Sequence, residues 1–133
     1  MKTNTLPLGL RNGVISASDD SITIGSRLDV SGARRFARAV TRIAGRKPAH
    51  AVIDLSRTRM VDSSGFGALV SGLKRLNEHG ATPIVVCANS SVRRLMDFAG
   101  ISRTFTIVDR MSDARKMLSQ AAAHHTATDA LAS

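Results

Sequence analysis

The sequence predicts an α/β domain, a mixed sheet of four or five strands covered by about four helices. Three observations carry that expectation. Short apolar runs rich in β-branched residues, such as Ala51-Val52-Ile53-Asp54-Leu55, alternate with longer stretches whose apolar residues recur at helical spacing. Strands alternating with helices make parallel neighbours in a covered sheet. Two further runs, Val14-Ile15-Ser16-Ala17 and Ser21-Ile22-Thr23-Ile24, follow each other across Asp19-Asp20, which suits a hairpin and adds an antiparallel part. Finally, 133 residues suffice for one domain with a core. The expected domain covers 1–123, and 124–133, small and polar without periodicity, reads as a flexible C-terminal tail.

In chain order, Met1 to Arg11 shows no clear element, and Asn12-Gly13 is a turn signal before the hairpin. Leu28-Asp29 leads into a first helix over about 32–44, with Ser31 as a candidate cap. Phe36, Val40 and Ile43 form its inner stripe, flanked by Ala33, Ala37 and Ala44. Arg34, Arg35, Arg38, Arg42 and Arg46 gather opposite. Such a run reads first as a solvated outer face, with contact to an acidic partner as the functional alternative. Gly45 to Pro48 end this helix and Ala51 to Leu55 form a buried strand.

A central helix follows, ended by Gly80 in a left-handed cap. Pro83 precedes a strand over Ile84 to Cys87. Ser90 or Ser91 could cap a third helix that ends near Gly100, with Val92, Leu95, Met96 and Ala99 inward; Phe98 also fits an apolar helix face. Thr106-Ile107-Val108 reads as a short strand. Ser112 could cap a last helix with Ala114, Met117, Leu118 and Ala121 facing in.

The net charge of +9 invites a nucleic-acid reading. Trp and Tyr are absent, however, so stacking platforms are lacking and nucleic acid is not the expected partner. No apolar run approaches the ~20 residues of a membrane span, and no signal-peptide core follows Met1, so a cytoplasmic protein is expected. Cys87, the single cysteine, sits in an apolar run and reads as a structural thiol. No dinucleotide fingerprint, Walker loop, Gly-x-Ser-x-Gly elbow or metal-ligand spacing occurs. The expectation is therefore no catalytic residue, no metal and no cofactor.

The stretch that organises the chain is Val61-Asp62-Ser63-Ser64-Gly65-Phe66-Gly67, where a strand and loop hand over to the central helix. Asp62 is the candidate N-cap. On a wheel centred on Phe66, the residues Leu69, Val70, Leu73 and Leu76 turn inward. Ser64 points outward beside a strip of small residues, Gly67, Ala68, Ser71 and Gly72, and Ser63 lies at the edge of the apolar face. Without more, both serines read equally as ordinary first-turn residues.

Asp62-Ser63-Ser64-Gly65-Phe66-Gly67 resembles the signature of the STAS family, in its bacterial anti-sigma factor antagonist branch. The likeness extends from about Ile22 to Leu118 through Leu28-Asp29, Val52-Ile53-Asp54-Leu55, Val85-Val86-Cys87 and the stretch Arg94 to Ile101. It implies a single STAS-like domain and phosphorylation at the second serine, Ser64. It also implies a partner-switching regulator of transcription, which binds an anti-sigma factor or related serine kinase when unphosphorylated and releases it when phosphorylated. A serine phosphatase would reset it. Asp29, Asp62, Ser63, Ser64, Gly65, Gly67, Ala68 and Ser71 form the expected partner-binding face. Ser26 stands where the family often has glycine, and the first helix is more basic than the family pattern. The rival readings are a STAS-like subunit of a transport or lipid-trafficking complex and a basic nucleic-acid or nucleotide binder.

Overall fold

The computed structural model describes residues 14–18 and 20–132, with side chains from 20 to 121. The expectations for Met1 to Gly13 and for Asp19 lie outside the described residues. The elements are β1 (Val14–Ser18), β2 (Ser21–Ile24), β3 (Arg27–Leu28), α1 (Val30–Arg46), β4 (His50–Asp54) and β5 (Met60–Val61). They continue with α2 (Ser63–Glu78), β6 (Thr82–Val86), α3 (Ser90–Phe98), α4 (Ile101–Thr104), β7 (Thr106–Val108) and α5 (Met111–Ala132).

The main sheet has five strands in the order β1-β2-β4-β6-β7. The hairpin pair β1–β2 is antiparallel, and β2, β4, β6 and β7 are parallel. Helices cover both faces, so the central strands are buried on both sides and read as continuous apolar runs. Ala51, Ile53, Leu55 and Val85 join the larger core with α1, α2 and α3. Val52, Ile84 and Val86 meet Ala114 and the half-buried Met117 and Leu118 of α5 on the other face. Leu69, Leu73 and Leu76 of α2 are fully buried, each contributing roughly 1.5–3 kcal/mol by leaving water. Pro83 lies inside β6 rather than before it. Its register partner is Ala51 of β4, and pairing with β7 begins only at Ile84, so its missing N–H breaks no bond on that side.

Several boundaries move for a common reason: a carboxylate or amide outcompetes a hydroxyl as cap. Asp29, not Ser31, caps α1, and its side chain accepts from Gly32 N at 3.2 Å. Asn89, not Ser90 or Ser91, caps α3 by accepting from Ser91 N and Val92 N. Gly80 does follow α2 with φ +90. Ala37 is exposed and Ala39 is buried in its stead. Leu95 and Ala99 are exposed, and Phe98, expected on an apolar face, is 93% exposed. Two features carry no readable period: the extra short helix α4, and a second sheet made only of β3 and β5.

The packing of α1 on α2 corrects the expected strip of small residues. Gly72 is buried, and a Cβ there would lie 2.4 Å from Cε2 of Phe36. The closely approaching element is therefore α1 of the same chain. Gly67 has nothing within 4 Å of a built Cβ. Gly72→Ala should thus lower unfolding free energy by about 1–3 kcal/mol through overpacking. Gly67→Ala should raise it by up to about 1 kcal/mol through helix propensity. Urea melts of the two variants beside the parent chain check both signs.

Candidate functional site

Two chain corners lie side by side at the heads of α1 and α2. β3 and β5 pair in parallel, Arg27 with Met60 and Leu28 with Val61. Arg59 N and Met60 N both donate to Ser26 O, and Asp62 N donates to Leu28 O at 3.1 Å. The buried Thr58 adds a bond from Oγ1 to Gly25 O at 2.8 Å. Nothing in the pattern around Thr58 marked it beforehand, because its role is to tie two distant loops.

Each helix then starts in the same way. Asp62 is extended (φ −85, ψ −179), and its Oδ1 accepts from Gly65 N at 2.8 Å. Asp29 does the same for Gly32 N. The signal for this symmetry is present in the sequence: Asp-x-Ser-Gly occurs as Asp29-Val30-Ser31-Gly32 and again as Asp62-Ser63-Ser64-Gly65. Gly65 is buried, and a Cβ there would sit 2.0 Å from Leu28 O. It belongs to the packing between the corners, not to the outer surface.

Ser63, Ser64, Gly67 and Ser71 are exposed, while Asp29, Asp62 and Ala68 are half-buried. Phe66 is itself only half-buried, and the buried face is centred on Leu69, Leu73 and Leu76. Ser63 accordingly stands clear of the core rather than at its edge. The serines are separated by direction instead. At 100° per residue, Ser64 shares a stripe with Ala68, Ser71 and Arg75, on the side of α1. Ala68, Ser71, Gly72 and Arg75 line a small groove opposite Ala37 and Val40, and Arg75 Nη1 donates to Thr41 Oγ1 at 3.1 Å. Ser63 shares its stripe with Gly67, Val70 and Lys74, and Val70 and Lys74 border a groove toward α4 floored by Phe66, Ile101 and Phe105.

Between the two helix heads opens a cleft lined by Asp29, Val30, Ser31, Arg34, Arg35, Arg38 and Asp62. The arginines were legible as a charged face; that three of them reach the head of α2 was not. Among the described residues, no group of three or more His, Cys, Asp or Glu is placed to hold a metal ion. Burial pushes the Cys87 thiol up, with Arg93 partly opposing, so it stays protonated and unreactive near neutral pH. No described helix is long and apolar enough to cross a membrane.

The STAS domain model matches residues 17–114, most of the chain and both corners. The chain belongs to the STAS family. An anti-sigma F factor antagonist of Paenibacillus polymyxa is 33% identical over 67 residues, spanning 50% of this chain and 57% of that protein. The matched stretch is thus little more than half the length of that relative. An anti-sigma factor antagonist from Mycobacterium paratuberculosis superposes with a TM-score of 0.58 at 23% identity, covering 77% of this chain and 88% of its own. A sulfate transporter family protein from Wolinella succinogenes superposes at 0.65 with 15% identity, covering 84% and 85%. Both superpositions establish the STAS fold.

The cap is the part of this site most open to direct measurement. Asp62→Ala should cost about 0.5–2 kcal/mol of unfolding free energy by orphaning Gly65 N, whereas Asp62→Asn, which keeps an acceptor, should cost less. Urea titration of the two variants gives the comparison.

Proposed function

We propose that this STAS domain is an anti-sigma factor antagonist that works by partner switching, with Ser64 as its phosphorylation site. The observation that carries the reading is the placement of Ser64. Its side chain is exposed in the first turn of α2, and its hydroxyl has no hydrogen-bond partner among the described residues. Such a hydroxyl is open to a kinase. Its oxygen takes the γ-phosphoryl group of ATP, its proton leaves, and ADP departs. The curated relative, an anti-sigma F factor antagonist, supports the same reading.

In the unphosphorylated state, the surface around Asp29, Asp62, Ser63, Ser64, Gly67, Ala68 and Ser71 binds an anti-sigma factor or related serine kinase and so frees the regulator it held. A phosphate brings about −1.5 to −2 charge and three acceptor oxygens. On this open surface it obstructs close approach and repels acids of the partner. The fold survives, because a helix N-terminus favours an anion. A serine phosphatase restores the binding state. The working unit is the domain over 1–123, acting in the cytoplasm without catalysis of its own. The transport-subunit reading makes Ser64 a packing residue, and the exposure of Ser64 argues against it.

Incubation with the cognate serine kinase and ATP, followed by peptide mapping, should place the phosphate on Ser64 and find none in Ser64→Ala. Modification chiefly at Ser63 would overturn the assignment. Ser64→Asp should weaken partner binding by calorimetry while its stability stays within about 0.5 kcal/mol of the parent, as expected at an exposed position.

A further inference from the structure

We propose that a phosphate on Ser64 is held within the same molecule by Arg34 and Arg38 of α1, so that modification also withdraws the arginine face from the partner. The inference rests on the reading of Ser64 as the acceptor and adds a fate for the phosphate.

The geometry follows from the two facing stripes. α1 presents Val30, Arg34, Ala37 and Thr41 toward the outer edge of α2, which presents Ser64, Ala68, Ser71 and Arg75. The upper rung is the Arg75–Thr41 hydrogen bond. The next is Ala37 across the groove from Ala68 and Ser71. Continued at the spacing of the Arg75–Thr41 pair, the same two stripes set Ser64 level with Val30, with Arg34 one turn farther along α1. Helical side chains lie over the turn N-terminal to their own Cα, so the guanidinium groups of Arg34 and Arg38 are carried toward Ser64. Both arginines line the cleft together with Asp62, the cap two residues before Ser64, although Ser64 itself is not part of the lining.

Chemistry favours the contact. Arg34 and Arg38 are exposed and, among the described residues, have no ion-pair partner. They stand at i and i+4 and repel each other, which a dianion between them relieves. Two planar guanidinium forks also match the oxygens of a phosphate. The other charged groups at the cleft are Asp29, Asp62 and Arg35. Each carboxylate already accepts a backbone N–H, and Arg35 has an interaction of its own. Among the described residues, that leaves Arg34 and Arg38 as the cations of the cleft without a charged partner.

The test needs no partner protein. Phosphoserine is installed at position 64 of the full chain by genetic encoding, and its phosphate is titrated by phosphorus NMR. The expected second pKa lies below the ordinary value of about 6. Arg34→Gln with Arg38→Gln should lower the acid constant about threefold or more, back toward the ordinary value. Arg42→Gln with Arg46→Gln removes equal charge farther along the helix and should change it much less. An unchanged titration in the first pair, or equal changes in both pairs, overturns the proposal. Amide spectra of the variants verify that each remains folded. Because the phosphate is installed during synthesis, the result stands apart from whether any kinase selects Ser64. A failed kinase mapping would sink the functional reading without altering this outcome, and the reverse also holds.

Discussion

The carbonyl of Leu28 is the point on which the arrangement of the site depends. It accepts the N–H of Asp62 and occupies the space that a side chain at position 65 would need. Glycine at 65 is therefore a condition for the two corners to meet. Any Cβ there would drive α2 away from β3, break the short parallel pair of β3 with β5, and separate the two helix heads. The bonds from Thr58, Arg59 and Met60 to Gly25 and Ser26 hold the same loops from behind. A buried hydroxyl and three backbone donors are satisfied by this one crossing, so its disruption would leave several polar groups unpaired at once.

From that crossing, α1 and α2 run side by side in the same direction. Phe36 fills the space over Gly72, which sets how closely the helices approach. The rigid part of the molecule is thus directly beneath the surface that is chemically open. Ser64, Gly67 and Ser71 sit on a helix whose opposite face is fully buried, and they project little beyond the backbone. A partner of the kind proposed would meet a preformed patch and need not order it, which limits the entropy cost of association. A charge added there acts on the surface without loosening the core. The proposed modification and the stability of the fold then fall on different faces of one helix.

The basic face of α1 takes its meaning from the same geometry. Five arginines on one helix gain nothing from one another, and a sequence wheel assigns them to solvent. Packed beside α2, the N-terminal pair of that stripe shares a cleft with the cap of the helix that carries Ser64. A feature that reads as solubility in one dimension becomes part of the site's electrostatics in three.

The sequence by itself determined the order and type of most elements. Covered strands show as continuous apolar runs, and helices long enough to repeat their period declare themselves, as over Val30–Arg46 and Ser63–Glu78. The cap at Asp62 and its glycine at 65 were legible too, because a cap and its glycine are local devices. Only tertiary structure decided which side of each helix had a neighbour. Phe98 keeps helical spacing yet stands in solvent, since periodicity marks apolar residues without supplying anything to bury them. Gly72 looked like open surface and lies under Phe36, since a missing side chain cannot announce what fills its place. Strands of two residues, β3 and β5, are too short to carry a period and exist through their pairing alone. The cleft that Arg34 and Arg38 share with Asp62 is likewise a relation between two helices, fixed by the Leu28–Gly65 contact and the Phe36–Gly72 contact, and no local pattern in either helix encodes it.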